Sequence, residues 1–126
     1  MVKDHQPAVL IIEDDPSLRD SLQRTLRGKR YHVLEAGEGG EGMMLLRTHA
    51  VDVVLVDMFM PGKEGVETVR ELRRSYPNLK IIAMSGGGKK GEVDVLLVAK
   101  AMGCHHTLVK PFSGDDLIKA IEAQLA

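Results

Sequence analysis

Polar residues stand at the ends of four apolar runs in this chain, and together they suggest phosphoryl chemistry. Asp57 closes a valine-rich run, and the acidic triplet at 13–15 follows another apolar run. Ser85 and Lys110 each follow a further apolar run. A carboxylate at the end of an apolar strand does little for stability, so its presence there points to function. We expect these groups to form a magnesium-dependent site that holds a phosphoryl group.

The chemistry of these side chains fits that expectation. Carboxylates that converge repel each other and raise one pKa, and a hard dication removes the repulsion. Mg²⁺ takes one or two carboxylates, keeps several waters and accepts phosphate oxygens. Lys110 adds a compact positive charge, and the Ser85 hydroxyl and the backbone N–H groups at 86–88 can donate to phosphoryl oxygens. Asp57 is then available to attack phosphorus as a carboxylate nucleophile.

Short apolar runs alternate with amphipathic stretches along the chain, which predicts five β/α units. Strict alternation implies parallel strands with right-handed crossovers, and strands without polar alternation imply a sheet covered on both faces. The expected fold is an α/β three-layer doubly wound (βα)5 sandwich with its site at the carboxyl ends of the strands. Strands are predicted at 8–12, 31–36, 52–56, 79–84 and 107–109, and helices from Pro16, at 38–49, 65–76 and 92–102, and after the capping-box signature at 113–116.

Length and composition narrow the class of protein. The chain has 126 residues, which suits one domain, predicted at 8–126 behind a loose tail at 1–7. Its formal net charge is -1, so no basic excess argues for direct nucleic-acid binding. No apolar stretch approaches the roughly 20 residues that cross a bilayer. Residues 1–8 contain no apolar h-region, so we expect no secretory signal. The lone Cys104 cannot form an internal disulfide, which fits a reducing cytoplasm.

Four motifs make the chain similar to a known family. They are Ile11-Ile12-Glu13-Asp14-Asp15, Val56-Asp57-Met58-Phe59-Met60-Pro61-Gly62, Ala83-Met84-Ser85-Gly86-Gly87 and Val109-Lys110-Pro111-Phe112. With these motifs the chain resembles the receiver domain of response regulators, the phosphoacceptor module of two-component signalling. The resemblance covers residues 8–125 and implies a flavodoxin-like parallel sheet in the order 2-1-3-4-5.

The resemblance also implies roles for the residues around the phosphoryl group. Asp57 corresponds to the phosphorylated aspartate, and Lys110 corresponds to the lysine that pairs with the phosphoryl group. Ser85 occupies the position of the hydroxyl switch residue. The resemblance also implies that the Lys110–Pro111 peptide bond is cis, and a bond that precedes proline is the only common place for a cis bond.

A second set of residues is implied to hold Mg²⁺. Asp14 and Asp57 correspond to the direct carboxylate ligands, while Glu13 corresponds to an acid that acts through a water. The backbone carbonyl of Phe59 corresponds to the third protein ligand. The cofactor implied by the resemblance is therefore a single Mg²⁺ ion.

As a receiver, the chain is expected to accept its phosphoryl group from a histidine kinase or a histidine phosphotransfer protein. Loop movement then shifts a two-state surface that engages a downstream protein target or an output domain. The chain would promote only its own phosphorylation and dephosphorylation, without being a turnover enzyme. Whether it is a single-domain regulator, a phosphate shuttle or a receiver cut from a larger protein stays open.

The predicted fourth helix is apolar over more of its circumference than one buried face needs. One interpretation is a well-covered helix, or scattered surface apolar residues, which are normal. The other is a partner surface, because the fourth helix, fifth strand and fifth helix form a common output face in the resembled family. On that second interpretation, a homodimer through this face is also a candidate.

Two residues depart from the usual pattern of the family. Thr107 stands where many receivers have an aromatic residue whose ring moves inward on activation, so the switch formed by Ser85 and Thr107 is expected to be unusual. Phe59, two residues after Asp57, stands where many receivers have a smaller or polar side chain. Its ring is expected to restrict the water that attacks the phosphoryl group.

Several other residues could be interpreted as functional, but a structural interpretation of each is simpler. Asp15 is interpreted as a helix cap, and Lys89 and Lys90 as solvated side chains. His105 and His106 are adjacent, so on a strand they face opposite sides and do not form a chelating pair. Cys104 is interpreted as a small hydrophobic residue.

Two functions of other classes remain as alternatives. The first is a phosphorylation-independent binding module, which would explain Thr107. The intact set Glu13, Asp14, Asp57, Ser85 and Lys110 argues against it, because a degenerate site should lose a member. The second is a small phosphatase with an aspartyl nucleophile. The chain offers no cap domain and no second acid two residues after the nucleophile, so this class ranks last.

The Phe59 hypothesis predicts a change in the lifetime of the phosphorylated protein. Phe59→Asn is expected to shorten that lifetime, because an amide admits the attacking water that the ring restricts. The measurement is the decay of phosphorylated chain after the phosphodonor is removed. An unchanged or longer lifetime in the variant contradicts the hypothesis.

Overall fold

The computed structural model of the chain describes residues 6–58, 64–86 and 97–126. Its strands are β1 (Ala8–Ile12), β2 (His32–Ala36), β3 (Val53–Asp57), β4 (Lys80–Gly86) and β5 (His106–Lys110). Its helices are α1 (Pro16–Gly28), α2 (Gly39–Thr48), α3 (Glu64–Ser75), the helical residues 97–101, termed α4, and α5 (Gly114–Leu125).

The strands form one parallel sheet in the order β2-β1-β3-β4-β5, which confirms the predicted fold. The helices that connect the strands pack on both faces of the sheet, so both faces are covered by helices. None of the helices in these parts of the chain is long and apolar enough to cross a membrane. The predicted boundary between a tail at 1–7 and a domain at 8–126 stays a prediction.

The central strands β1 and β3 are buried along their whole length, whereas the edge strands β2 and β5 carry exposed residues. Successive side chains of a strand point to opposite faces, so each central strand contributes to two cores. On one face Ile11 belongs to a core with Leu22 of α1 and Ile121 of α5. On the other face Ile12 belongs to a core with Leu72 of α3. Continuous apolar strands are therefore the consequence of a sheet between two helical layers.

Three predicted site residues, Asp57, Ser85 and Lys110, belong to strands rather than following them, which corrects the predicted bounds. β3 ends at Asp57 and β4 at Gly86, both beyond their predicted ends. The parallel register extends this far because Asp57 pairs with Met84. Ser85 is therefore held by the sheet, one residue before the end of β4. Residues 87–96 lie outside the described residues.

Helix caps fix the loops that follow β1 and β5. Asp15 Oδ1 accepts hydrogen bonds from the N–H groups of Ser17, at 2.9 Å, and Leu18, at 3.4 Å, so Asp15 is confirmed as the cap of α1. Ser113 and Asp116 form the predicted capping box of α5, each accepting from the backbone N–H of the other. These caps satisfy N–H groups that a helix start leaves without a partner. They define where both helices begin after the preceding strands.

The structural interpretations of Cys104 and His105 are confirmed. Cys104 is a buried free thiol, and burial raises its pKa to about 11, so the thiol stays protonated. The N–H of Ile81 donates to His105 Nδ1 at 3.2 Å, which gives this ring a structural role at the start of β4. His106 is exposed on the first position of β5. Lys89 and Lys90 lie outside the described residues.

Gly65 allows α3 to pack directly against the segment that follows Asp57. A Cβ atom at Gly65 would overlap the backbone of Met58, including its carbonyl group. Backbone cannot move away as a flexible side chain can, so the position requires glycine. Gly28, at the end of α1, has no atom within 4 Å of its would-be Cβ.

This difference predicts opposite effects of two glycine substitutions. Gly65→Ala is expected to lower the free energy of unfolding by roughly 1–3 kcal/mol, because the added methyl group overpacks the site. Gly28→Ala, the matched control, is expected to leave stability unchanged or to raise it by up to about 1 kcal/mol through helix propensity. Urea denaturation followed by far-ultraviolet circular dichroism measures both. Equal effects of the two substitutions would contradict a close approach at Gly65.

Candidate functional site

Four predicted site residues meet at the carboxyl edge of the sheet. Asp57 is the last residue of β3, Ser85 lies near the end of β4 and Lys110 ends β5, while Glu13 follows β1 directly. The N–H of Glu13 continues the strand ladder by donating to the Ala36 carbonyl at 3.0 Å. Glu13, Asp57 and Ser85 are only 1%, 3% and 0% exposed. Buried acids at a sheet edge need partners, and the structure provides them.

Lys110 joins the two buried carboxylates. Its Nζ lies 3.0 Å from Glu13 Oε1 and 3.5 Å from Asp57 Oδ2. The other oxygen of Glu13, Oε2, accepts a hydrogen bond from the backbone N–H of Asp15 at 3.1 Å. By strand alternation, Glu13, Asp57 and Lys110 face the same side of the sheet as Ile11, Leu55 and Leu108, which share one core.

Negative charge exceeds positive charge among these groups. Burial raises the pKa of Glu13 to about 7, and the neighbouring Asp57 adds to the rise, while the Asp15 N–H and Lys110 oppose it. Burial alone would lower the pKa of Lys110, but the Asp57 and Glu13 carboxylates raise it above the ordinary value. Lys110 therefore stays protonated, and the carboxylates still repel one another. The arrangement is suited to receiving a further cation.

Asp14 completes an acidic cluster with the two buried acids. Glu13, Asp14 and Asp57 each offer a carboxylate oxygen, and these oxygens lie within 4.8 Å of one another. Asp14 is exposed, so a cation can reach the cluster from solvent. Hard oxygen donors in this number fit Mg²⁺, which binds one or two carboxylates and retains waters. Phe59, whose carbonyl was expected to be a further ligand, lies outside the described residues.

Ser85 and Thr107 lie on the face of the sheet opposite to Lys110. Ala83 belongs to the core on that face, and alternation places Ser85 beside it. Thr107 pairs with Ala83 in the β4–β5 register, so it shares this face. The Ser85 hydroxyl donates to the carbonyl of its neighbour Gly86 at 3.4 Å, a long hydrogen bond that a better acceptor could replace.

The Lys110–Pro111 peptide bond is cis, as expected. A cleft of about 520 Å³ adjoins this loop and lies between α1 and α5. Its walls include Leu18 and Leu22 of α1 together with Phe112 and Leu117. No sequence pattern indicates this cleft, because its walls come from distant parts of the chain.

Arg19 is a further residue at this edge that the sequence pattern did not indicate. Its Nη1 donates to the backbone carbonyl of Glu13 at 2.7 Å, and its Nε lies 3.5 Å from Glu35 Oε1. The only signal in the sequence is that Arg19 flanks the apolar stripe of α1. Every residue has a backbone carbonyl, so a contact with one does not require a particular residue type that the sequence could reveal.

The fold and the site define an α/β protein with an acidic cluster next to a lysine at the carboxyl edge of its sheet. The family model described as "Response regulator receiver domain" matches residues 9–122. The chain belongs to this family. Receiver domains bind Mg²⁺ at an acidic pocket and are typically signal transducers rather than enzymes. Membership of this family is consistent with two-component signalling.

Individual relatives agree with this assignment. The chain is 33% identical over 127 residues to the hydrogenase transcriptional regulatory protein HoxA of Cupriavidus necator, covering 98% of the chain and 26% of that relative. A CheY-like response regulator receiver domain protein from Methanospirillum hungatei superposes with a TM-score of 0.87 at 25% identity, covering 96% of this chain and 94% of that one. A receiver domain from Clostridium thermocellum gives 0.85 at 28% identity, with coverage of 94% and 93%.

The excess of negative charge predicts that Asp57 reduces stability when no cation is bound. In EDTA, Asp57→Asn is expected to raise the free energy of unfolding by about 1 kcal/mol or more, because it removes repulsion with Glu13 and leaves Lys110 paired. Asp20→Asn is the control, because Asp20 pairs with Arg24 on the surface and should change stability by less than about 1 kcal/mol. Urea denaturation measures both variants. A loss of stability in Asp57→Asn would mean that its contact with Lys110 outweighs the repulsion.

Proposed function

We propose that this chain accepts a phosphoryl group on Asp57 from a histidine kinase or a histidine phosphotransfer protein. The observation that carries the proposal is the buried cluster in which Lys110 contacts both Glu13 and Asp57. Structural stability does not require two buried acids and a lysine at a strand edge. A transferred phosphoryl group does require a nucleophile, a cation and a lysine together.

In the proposed transfer, an oxygen of Asp57 forms the new bond to phosphorus while the bond to the donor histidine nitrogen breaks. Lys110, already next to Asp57, moves its ammonium group from the carboxylates to a phosphoryl oxygen. Asp14, Asp57 and the Phe59 carbonyl would hold Mg²⁺, and Glu13 would act through a water. The ion would supply positive charge for the phosphoryl oxygens. The chain modifies itself and does not turn over substrate.

The proposed readout begins with Ser85. Its hydroxyl can exchange the long hydrogen bond to Gly86 for a charge-assisted one to a phosphoryl oxygen. Thr107 lies on the same face of the sheet, and its side chain is smaller than an aromatic ring. It can therefore move with the Ser85 side chain without a large change in its own exposed area. We therefore propose a switch formed by Ser85 and Thr107.

Two surfaces are proposed for protein partners. Leu97 and Val98 of α4 and Val109 of β5 are exposed apolar residues, and they support a downstream partner or a second copy at this face. The cleft between α1 and the Phe112 loop adjoins Lys110 and suits an apolar helix of the phosphodonor. The free Cys104 thiol is consistent with action in a reducing cytoplasm.

The alternative of a phosphorylation-independent binding module is not favoured. A module without phosphoryl chemistry would have no use for buried Glu13 and Asp57, whose burial opposes their charge. The phosphatase alternative gains no support from the cluster, because Lys110 and Ser85 suit holding a phosphoryl group rather than releasing it.

The decisive experiment is modification by a small phosphodonor. Acetyl phosphate with Mg²⁺ is expected to add one phosphoryl group per chain, detected by intact mass, and beryllofluoride is expected to bind, detected by fluorine NMR. Asp57→Ala should abolish both signals, whereas the surface control Asp20→Ala should retain them. The absence of any response in the wild type would favour the binding module. Sustained hydrolysis of acetyl phosphate beyond one equivalent would favour the phosphatase.

A further inference from the structure

Arg19 contacts the backbone of the acidic loop from the first turn of α1. Its Nη1 donates to the Glu13 carbonyl at 2.7 Å, a short and charge-assisted hydrogen bond. Its Nε lies 3.5 Å from Glu35 Oε1 on β2, and the Arg19 side chain is only 24% exposed. The guanidinium group thus lies between β2 and the loop at 13–15, with one group of donors directed to each.

The bond to the Glu13 carbonyl fixes the peptide group that carries Asp14. The N–H of Glu13 donates to Ala36, and its carbonyl accepts from Arg19, so both backbone polar groups of Glu13 are held. The Glu13 carbonyl and the Asp14 N–H belong to one planar peptide unit. Holding that plane fixes the Cα of Asp14, and the hydrogen bond from the Asp15 N–H to Glu13 Oε2 holds the next peptide. Together they restrict the direction in which the exposed Asp14 side chain leaves the backbone. The adjacent Asp15 is fixed separately as the cap of α1.

We propose that Arg19 is a positioning residue for the cation ligand Asp14. This inference rests on the proposed function, in which Asp14 and Asp57 bind Mg²⁺. Arg19 itself touches neither the cation nor the phosphoryl group, and it acts only through the Glu13–Asp14 peptide. Glu35 offsets its positive charge, so the guanidinium group can lie beside a cation site with little repulsion.

The two possible roles of Arg19, as a positioning residue and as a nearby positive charge, predict opposite changes in Mg²⁺ affinity when Arg19 is substituted. If Arg19 acted mainly as a nearby positive charge, its removal would strengthen Mg²⁺ binding, because repulsion would fall. If it acts by positioning, its removal weakens binding although a positive charge is lost. Partners behind metal ligands typically contribute roughly 10–100-fold to metal affinity. The sign of the change therefore separates the two roles.

The test is isothermal titration of the full chain with Mg²⁺. Arg19→Gln is expected to weaken binding by about tenfold, at the lower end of that range. Arg19→Lys keeps an N–H donor and the positive charge but loses the planar guanidinium group. It is expected to restore part of the Mg²⁺ affinity lost in Arg19→Gln. Arg24→Gln on the same helix is the matched control, because its side chain is 75% exposed and pairs only with Asp20 among the described ion pairs. The control should bind Mg²⁺ as the wild type does.

A readout without metal separates positioning from a general loss of stability. The ¹⁵N chemical shift of the Asp14 amide in EDTA reports on hydrogen bonding at the carbonyl of the same peptide. It is expected to move in Arg19→Gln and not in Arg24→Gln. Urea denaturation in EDTA shows how much global stability each variant has lost.

Three results would overturn the inference. Unchanged or tighter Mg²⁺ binding by Arg19→Gln, with normal binding by the wild type, rejects positioning and leaves the proposed function intact. An equal loss in Arg24→Gln shows that the loss does not come from the contact between Arg19 and the Glu13 carbonyl, and it rejects the inference as well. A wild type that binds neither Mg²⁺ nor beryllofluoride rejects the proposed function, and the inference falls with it.

Discussion

The site depends on keeping two buried carboxylates and one ammonium group together at the edge of an apolar sheet. Glu13 and Asp57 are almost fully buried, and an unpaired charge in such a place would be strongly unfavourable. Lys110 reaches both of them, although it lies 97 residues from Glu13 in the chain. Each group comes from a different strand end. The parallel register is therefore the constraint that makes the electrostatics tolerable, because a slip by one residue would turn these side chains to the other face.

The same alternation divides the site between two faces of the sheet. Glu13, Asp57 and Lys110 lie on the face covered by α1 and α5, while Ser85 and Thr107 lie on the face covered by α2, α3 and α4. In the proposed function, the nucleophile and its lysine therefore belong to one layer and the switch belongs to the other. A phosphoryl group at the edge would contact both layers at once. From that position, a bond formed between Asp57 and a phosphoryl group can affect a distant surface of the protein.

Much of this architecture follows from patterns that the sequence makes visible. Short valine-rich runs between amphipathic stretches predict a parallel sheet, and Asp15 and Ser113 mark helix starts by well-understood capping chemistry. The ends of β3 and β4 could not be placed from the sequence, because strand ends depend on pairing with Met84 and Lys110 in neighbouring strands. Arg19 escaped prediction for a related reason. Its main partner is a backbone carbonyl, which every residue has, so no residue type reveals the contact.

The geometry also explains why the two acids at 13 and 14 should have different roles. Both oxygens of Glu13 already have partners, because Oε1 contacts Lys110 and Oε2 accepts from the Asp15 N–H. A cation that bound Glu13 directly would have to compete with both. Asp14 is exposed and belongs to the same cluster, so it meets a cation first. Glutamate at position 13 has the length to reach Lys110 while remaining bonded to the loop. In the proposed function, this favours a division in which Glu13 holds the lysine, Asp14 binds the cation together with Asp57, and Asp57 also takes the phosphoryl group.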